Sequence, residues 1–348
     1  MFSDKSVRLS NFFTRLRNWE YWPFGILQLP VIFYFFWLSI RARSIVFFTA
    51  SNPGITMGGM FGESKFEVLS KVPKKYVPAT LLAHSHDSVG DVLIQMQQDQ
   101  LEFPVICKPD LGERGFMVKR IDDVSALRAY MSSIKHSFLI QALVDLPLEF
   151  GVFYRRLPGE PTGRVTSVVM KEMLTVVGNG KSTLQQLVFD NARARLQWEV
   201  LKDRYASRWN AVVPAGEVIE LVSIGNHCLG TKFLDGGHLI NDQLSQTFDA
   251  ISQQIDGFFF GRFDLRCASL NDLYSGKIKV LELNGCGAEP AHIYQPGFSF
   301  FKAVAVLLGH WRNIFLISRE NARRGVKYIP LKVALMHYRK FKLATAVS

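Results

Sequence analysis

Apolar and polar residues alternate with a period of two over residues 261–266 and again over 280–285. Successive side chains of a strand point to opposite faces. Arg262, Asp264 and Arg266 therefore share one face of the first strand, and Glu282 and Asn284 one face of the second. Phe263, Leu265, Leu281 and Leu283 take the other faces and suit a core. Upstream, apolar runs predict strands at 45–49, 103–109, 116–118, 138–141, 148–155, 164–177 and 217–224. Helical spacing predicts helices at 122–132, with Asp122 as cap, and at 181–197, 241–255 and 298–321. Residues 47–80 read as loop, with Gly54, Gly58, Gly59 and Gly62 permitting close backbone approach to a ligand. Strands and helices mixed in this way predict an α+β or α/β fold.

Residues 21–40 carry no charge. The run reaches the length of about 20 residues needed to span a bilayer, yet Pro23 and Pro30 predict breaks in a helix. Basic residues flank it on both sides, so the positive-inside rule sets no orientation. The run is too long for a signal peptide, and no small-residue cleavage site follows. A re-entrant or interfacial segment is expected, with Trp19, Tyr21 and Trp22 at headgroup level; a buried helical hairpin is the alternative. Residues 332–342 are basic with interleaved apolar side chains, a second surface for anionic lipid or a solvated tail.

The net charge of +11 over 348 residues suits phosphorylated ligands or an anionic surface. The basic residues are dispersed and no aromatic–basic module appears, which argues against nucleic acid. Cys107, Cys228, Cys267 and Cys286 form no C-x-x-C pair and no metal-ligand spacing with histidine; they read as reduced thiols.

Two carboxylates and an amide oxygen from paired strands, beside an arginine, make a hard-oxygen site for magnesium next to phosphate. Lys108 ends a strand ahead of the loop that holds Gly112, Arg114 and Gly115, where it would neutralise phosphate as a point charge. The segment 177–183 tempts toward a P-loop, but Thr175 stands where the pattern needs glycine. Amides at Gly178–Gly180 are left as an anion cradle.

The order of lysine strand, glycine loop, Gln141-to-Glu149 hinge, Lys171, R-F-D and E-L-N resembles the ATP-grasp superfamily of carboxylate–amine ligases, among them D-alanine–D-alanine ligase, glutathione synthetase and cyanophycin synthetase. The resemblance covers roughly residues 65–294. VVGNGKSTL looks like the V-G-D-G-K segment of the cyanophycin synthetase branch, with Asn179 replacing its aspartate. The W-P-F, N-P-G-I, G-G and E-S-K front end resembles that of a branch of bacterial ATP-grasp proteins and is unlike ordinary D-alanine ligases.

The resemblance implies an α+β, ATP-grasp fold of two subdomains clamping ATP, with a short N-terminal apolar extension. The divisions expected are an apolar segment 1–44, a reduced region 45–102, a nucleotide-clamping subdomain 103–180, a metal and catalytic subdomain 181–325 and a basic tail 326–348. It further implies that Lys108 and Lys171 hold the ATP phosphates under the loop Gly112, Arg114 and Gly115. Gln141, Ala142, Leu143 and Val144 would meet adenine, and Glu149 the ribose. Asp264, Glu282 and Asn284 would hold two Mg2+ ions, or Mn2+. Arg262, with Lys171, would serve catalysis by stabilising the oxyanion. Asn226, His227 and His292 are the candidate substrate contacts. The implied activity joins a small-molecule or lipid-linked carboxylate to an amine through an acyl phosphate, in the cytoplasm at the inner membrane face. A kinase on the same fold and a membrane protein that binds ATP for regulation are the alternatives.

Overall fold

A computed structural model describes residues 4–112, 115–222 and 230–346. The chain opens with α1 (Asp4–Arg17) and α2 (Phe24–Ala42). Pro23 caps α2 as expected of a helix breaker, but Pro30 lies inside the helix without ending it. Buried Leu27, Val31 and Leu38 hold α2 to the fold on either side of the missing N–H. Residues 45–49 are not a strand. Phe47–Ala50 is a buried 3-10 turn, closed by Thr49 N–H to Val46 O (3.1 Å) and Ser51 N–H to Phe48 O (2.9 Å).

After α3 (Lys65–Ser70) comes a four-stranded antiparallel sheet. It contains β1 (Thr80–Ala83), β2 (Val105–Pro109), β3 (Lys119–Ile121) and β4 (Phe138–Ala142), in the order β1-β4-β2-β3. Helices α4 (Val89–Gln98) and α5 (Val124–Ser133) cover it through Val92, Met96, Leu127 and Met131, packed on Val105, Cys107 and Ile140. The cap of α5 is Asp123, which accepts from Ala126 N–H (2.8 Å). Asp122 instead pairs with Arg120 (2.7 Å), and residues 116–118 form a turn rather than a strand.

The expected strand 164–177 divides into two, β6 (Arg164–Glu172) and β7 (Thr175–Val177). A five-stranded antiparallel sheet is built from β5 (Leu148–Arg155), β6 (Arg164–Glu172), β9 (Lys232–Asp235), β10 (Phe260–Cys267) and β11 (Ile278–Asn284), in the order β11-β10-β5-β6-β9. The small pair β7 (Thr175–Val177) and β8 (Val218–Glu220) stands apart, packed on α6 (Leu184–Asp190), α7 (Ala192–Arg195) and α8 (Trp198–Arg204). The expected helix 181–197 is interrupted because Asn191 ends α6 and caps α7, accepting from Arg193 and Ala194 N–H (both 3.1 Å). Helices α9 (Asp242–Ser252) and α10 (Leu270–Ser275) cover one face of the large sheet over Phe150, Val152, Tyr154, Phe263 and Leu265. The chain closes with α11 (Phe300–Arg323) and α12 (Leu331–Ala346), so residues 332–342 are helical. α11 packs between α2 and the 3-10 turn, with Trp311 4.9 Å from Phe35 and Phe315 5.9 Å from Phe47. The architecture is α+β with antiparallel sheets and an N-terminal apolar helix.

Candidate active site

Strand register brings the polar side chains together. Asp264 pairs with Glu282, and Arg262 with Asn284, across β10 and β11. Arg266 pairs with Glu149 across β10 and β5, and Glu149 with Lys171 across β5 and β6. A charged face thus spans four neighbouring strands. Gly151, opposite Asp264, leaves room for it: a Cβ there would lie 3.1 Å from Asp264 Oδ1 and 3.2 Å from Arg262 Cδ.

The glycine-rich front end fixes the frame from behind. The fully buried Asn52 donates to Gly58 O and Phe260 O (2.9 and 2.8 Å) and accepts from Phe259 and Phe260 N–H (both 2.9 Å). Gly58 and Gly59 carbonyls accept from Cys286 and Gly287 N–H (3.0 and 2.7 Å). Gly59 has φ +74°, and a Cβ on it would lie 2.5 Å from Gly285 Cα. Gly58 and Gly59 make their close backbone approach to the loop after β11, and Gly59 and Gly62 also border the cleft between the two sheets.

Asp264 is buried yet ionised. Burial alone would raise its pKa, but Arg262 (Nη2 at 2.9 Å) and Lys171 (Nζ at 3.4 Å) outweigh that and hold it below the usual carboxylate range. Burial likewise works against the charge on Lys171, and Asp264 and Glu149 reverse it, so its pKa is raised. Asn284 Nδ2 adds a donor to Asp264 Oδ2 (3.0 Å). Both oxygens of Glu149 are engaged, one by Lys171 Nζ (3.0 Å) and one by Arg266 Nε (3.0 Å). Arg266 Nη1 also donates to Val144 O (3.1 Å), tying this face to the hinge.

Lys108, at the end of β2, crosses from the small sheet to the large one. Its Nζ donates to Gln141 Oε1 (3.1 Å) and to Leu281 O (2.9 Å), the residue skipped by the register shift between β10 and β11. Burial lowers its pKa to about 8, with Glu282 only partly opposing. Between the sheets runs a cleft of about 1060 Å3, bounded by Lys108, Gly112, Gly115, Gln141, Ala142, Leu143, Val144, Glu149, Lys171, Arg262, Asp264, Glu282 and Asn284. That volume sits at the top of the range for small-molecule sites, about 300–1,000 Å3.

Arg114, Asn226 and His227 lie outside the described residues. His292 does not border the cleft: its Nδ1 pairs with Ser167 Oγ (2.9 Å), and burial lowers its pKa. The amides of Gly178 and Gly180 are spent on Glu217 O and Val213 O, so no anion cradle forms there. Two residues join the site that no sequence pattern points to. Lys65 reaches Gly112 O and stands 3.9 Å from Glu282. Gln28, on α2, donates to Glu289 Oε1 (2.6 Å), whose other oxygen accepts from Tyr294 OH (2.5 Å) and whose backbone carbonyl accepts from Arg262 (3.0 Å). Arg266 lies on the face that alternation predicts, and its partner Glu149 comes from the neighbouring strand β5.

No protein-family model matches the sequence, and no curated protein sequence is similar to it. Among solved structures the chain is similar to D-alanine–D-alanine ligase from Bacillus anthracis, at 13% identity and a TM-score of 0.42, over 78% of this chain and 72% of that one. It is similar to the VanG D-Ala:D-Ser ligase from Enterococcus faecalis at 12% identity and 0.42, over 74% and 64%. For the bifunctional glutathione synthetase from Pasteurella multocida the figures are 14% and 0.38, over 70% and 36%. The chain thus spans about a third of that synthetase and under two thirds of VanG.

Proposed function

We propose that this chain is an ATP-dependent ligase of the ATP-grasp type, which activates a carboxylate as an acyl phosphate and joins it to an amine. The observation that carries this reading is the placement of Lys108 and Lys171 from two different sheets on one cleft, facing Asp264 and Glu282. Two lysines and an arginine around a cleft floored by carboxylates suit a polyphosphate and its counter-cations.

In this reading the triphosphate lies between Lys108 and Lys171, with the loop of Gly112 and Gly115 above it and the base against Ala142 to Val144. Glu149, locked between Lys171 and Arg266, orients the lysine as well as standing at the ribose end. Asp264, Glu282 and Asn284 are hard oxygen donors, and Asp264 with Glu282 face each other in register, so the set fits Mg2+. Bound Mg2+ would offset phosphate charge and polarise the terminal phosphoryl group.

A carboxylate oxygen attacks the γ-phosphorus; the bond from that phosphorus to the β–γ bridging oxygen breaks, and ADP leaves. The amine nitrogen then bonds to the acyl carbon, inorganic phosphate departs and the nitrogen loses a proton. Arg262, held by Asp264 and Glu289 O, faces the oxyanion that forms on the acyl carbon.

The test is ATP turnover with Mg2+ over a panel of carboxylates in the presence of hydroxylamine, which captures acyl phosphates as hydroxamates. The ligase reading expects ADP and hydroxamate in equal amounts. ADP with a stable, hydroxylamine-resistant phosphorylated product would instead make the protein a kinase. ATP binding without turnover across the panel would favour a regulatory role.

A further inference from the structure

α2 is apolar on both faces. Leu27, Val31 and Leu38 are buried, while Ile26, Leu29, Phe33, Phe36 and Ile40 repeat every three or four residues on the outer face. Phe33 is 69% and Ile40 76% exposed. At 19 residues the helix runs about 28 Å. Exposed Arg15 and Arg17 precede it, exposed Arg41 lies in its last turn and exposed Arg43 caps its end. An uncharged apolar face closed at both ends by arginine is complementary to an anionic leaflet, acyl region and headgroups together.

The same segment leads into the cleft. Phe301, 83% exposed, contacts Phe300 (ring centroids 5.7 Å). Phe300 contacts both Trp22 and Trp19 (both 5.9 Å), and Trp19 contacts Tyr294 (6.1 Å). Tyr294 hydrogen-bonds Glu289, which Gln28 of α2 also holds, next to Arg262. Trp19, Trp22, Leu27, Tyr294 and Phe300 all border the cleft. An aromatic path therefore joins the exposed surface to the reactive end of the site.

We infer that the cleft takes one of its two substrates from an anionic bilayer leaflet, as an amphiphile. Its polar head lies at Arg262 and Glu289 and its hydrocarbon along Trp19, Trp22 and Phe300. This rests on the ligase reading for the reaction at the polar end. It commits the apolar face of α2 to lipid rather than to a second copy of the chain.

The experiment floats the full chain with phosphatidylcholine vesicles, with and without phosphatidylglycerol. The chain is expected to rise with the anionic vesicles. The double variant Phe33→Glu, Phe36→Glu is expected to partition roughly a hundredfold more weakly, about tenfold for each phenylalanine withdrawn. A diazirine-bearing fatty acid in the anionic vesicles is expected to label peptides carrying Trp22 or Phe300. Absence of flotation, a dimer in vesicle-free buffer that the double variant dissolves, or labelling that spares Trp22 and Phe300 would each overturn the inference. Binding of a non-hydrolysable ATP analogue, measured without vesicles, separates the two readings. It persists in wild type and double variant if only the lipid inference fails, and is absent from wild type if the nucleotide reading fails.

Discussion

Burial and charge conflict at Lys108. Its ammonium lies under both sheets with two oxygen acceptors, and burial brings its pKa down to about 8. Set against the ordinary lysine value near 10.4, the shift amounts to roughly 3 kcal/mol of penalty on the charged form in the folded state. The folded chain releases this proton between about pH 8 and 10.4, while the unfolded chain keeps it, so the Lys108 contribution to stability rises with pH across that window. Below about pH 8 the penalty is complete and constant. Lys108→Met removes it but leaves Gln141 Oε1 and Leu281 O without this donor, at about 1–3 kcal/mol each. The variant should therefore fall within about 3 kcal/mol of wild type at neutral pH and lack the rise above pH 8. Urea unfolding of both proteins from pH 7 to 10 reads the difference. The subtraction cancels Cys107, Cys267 and Cys286, whose burial-raised pKa values lower stability at high pH in both proteins. Affinity of the wild type for a non-hydrolysable ATP analogue should weaken about tenfold per pH unit above 8, as the free lysine loses its proton. Identical stability slopes in the two proteins, with an affinity that stays flat to pH 10, would refute the electrostatic account of Lys108.

Asp264→Ala strands Arg262 and Lys171 in a buried site and should cost about 3–5 kcal/mol, read as a lower urea midpoint. Because the folded pKa of Asp264 is depressed, its stabilisation is complete above the ordinary carboxylate value and lost as pH falls through the depressed one; the variant should lack that acid limb. Asn52→Ala takes the side-chain partner from Phe259 N–H, Phe260 N–H and Phe260 O in the interior, while Gly58 O keeps Cys286 N–H, so a loss of about 3 kcal/mol or more is expected in the same assay. Gly59→Ala combines a left-handed φ with a backbone clash against Gly285, and should destabilise by more than about 1 kcal/mol.

Period-two alternation was enough to place Arg262, Asp264, Glu282 and Asn284 on one face, because strand parity follows from sequence alone. Glu149 and Lys171 entered only through their order along the chain, since their pairing depends on which strands become neighbours. Residues 45–49 and Pro30 depart from local propensity for physical reasons. Val46, Phe47 and Phe48 are apolar because they are buried with Ile314, Phe315 and Ile317 of α11, not because they pair in a sheet. Pro30 is tolerated because tertiary burial holds α2 together around it. The glycines at 58 and 59 serve the backbone of 285–287, a contact more than 220 residues away that no local pattern carries. Lys65 and Gln28 are illegible for the same reason, each lying far in sequence from the residues it meets.

The central claim is that a nucleotide occupies the cleft between the two sheets. A crystal structure of the chain with a non-hydrolysable ATP analogue and Mg2+ tests it most directly. The account predicts phosphate density between Lys108 and Lys171, metal density at Asp264 and Glu282, and the base beside Leu143. A nucleotide bound elsewhere, or an empty cleft at saturating analogue, would contradict it.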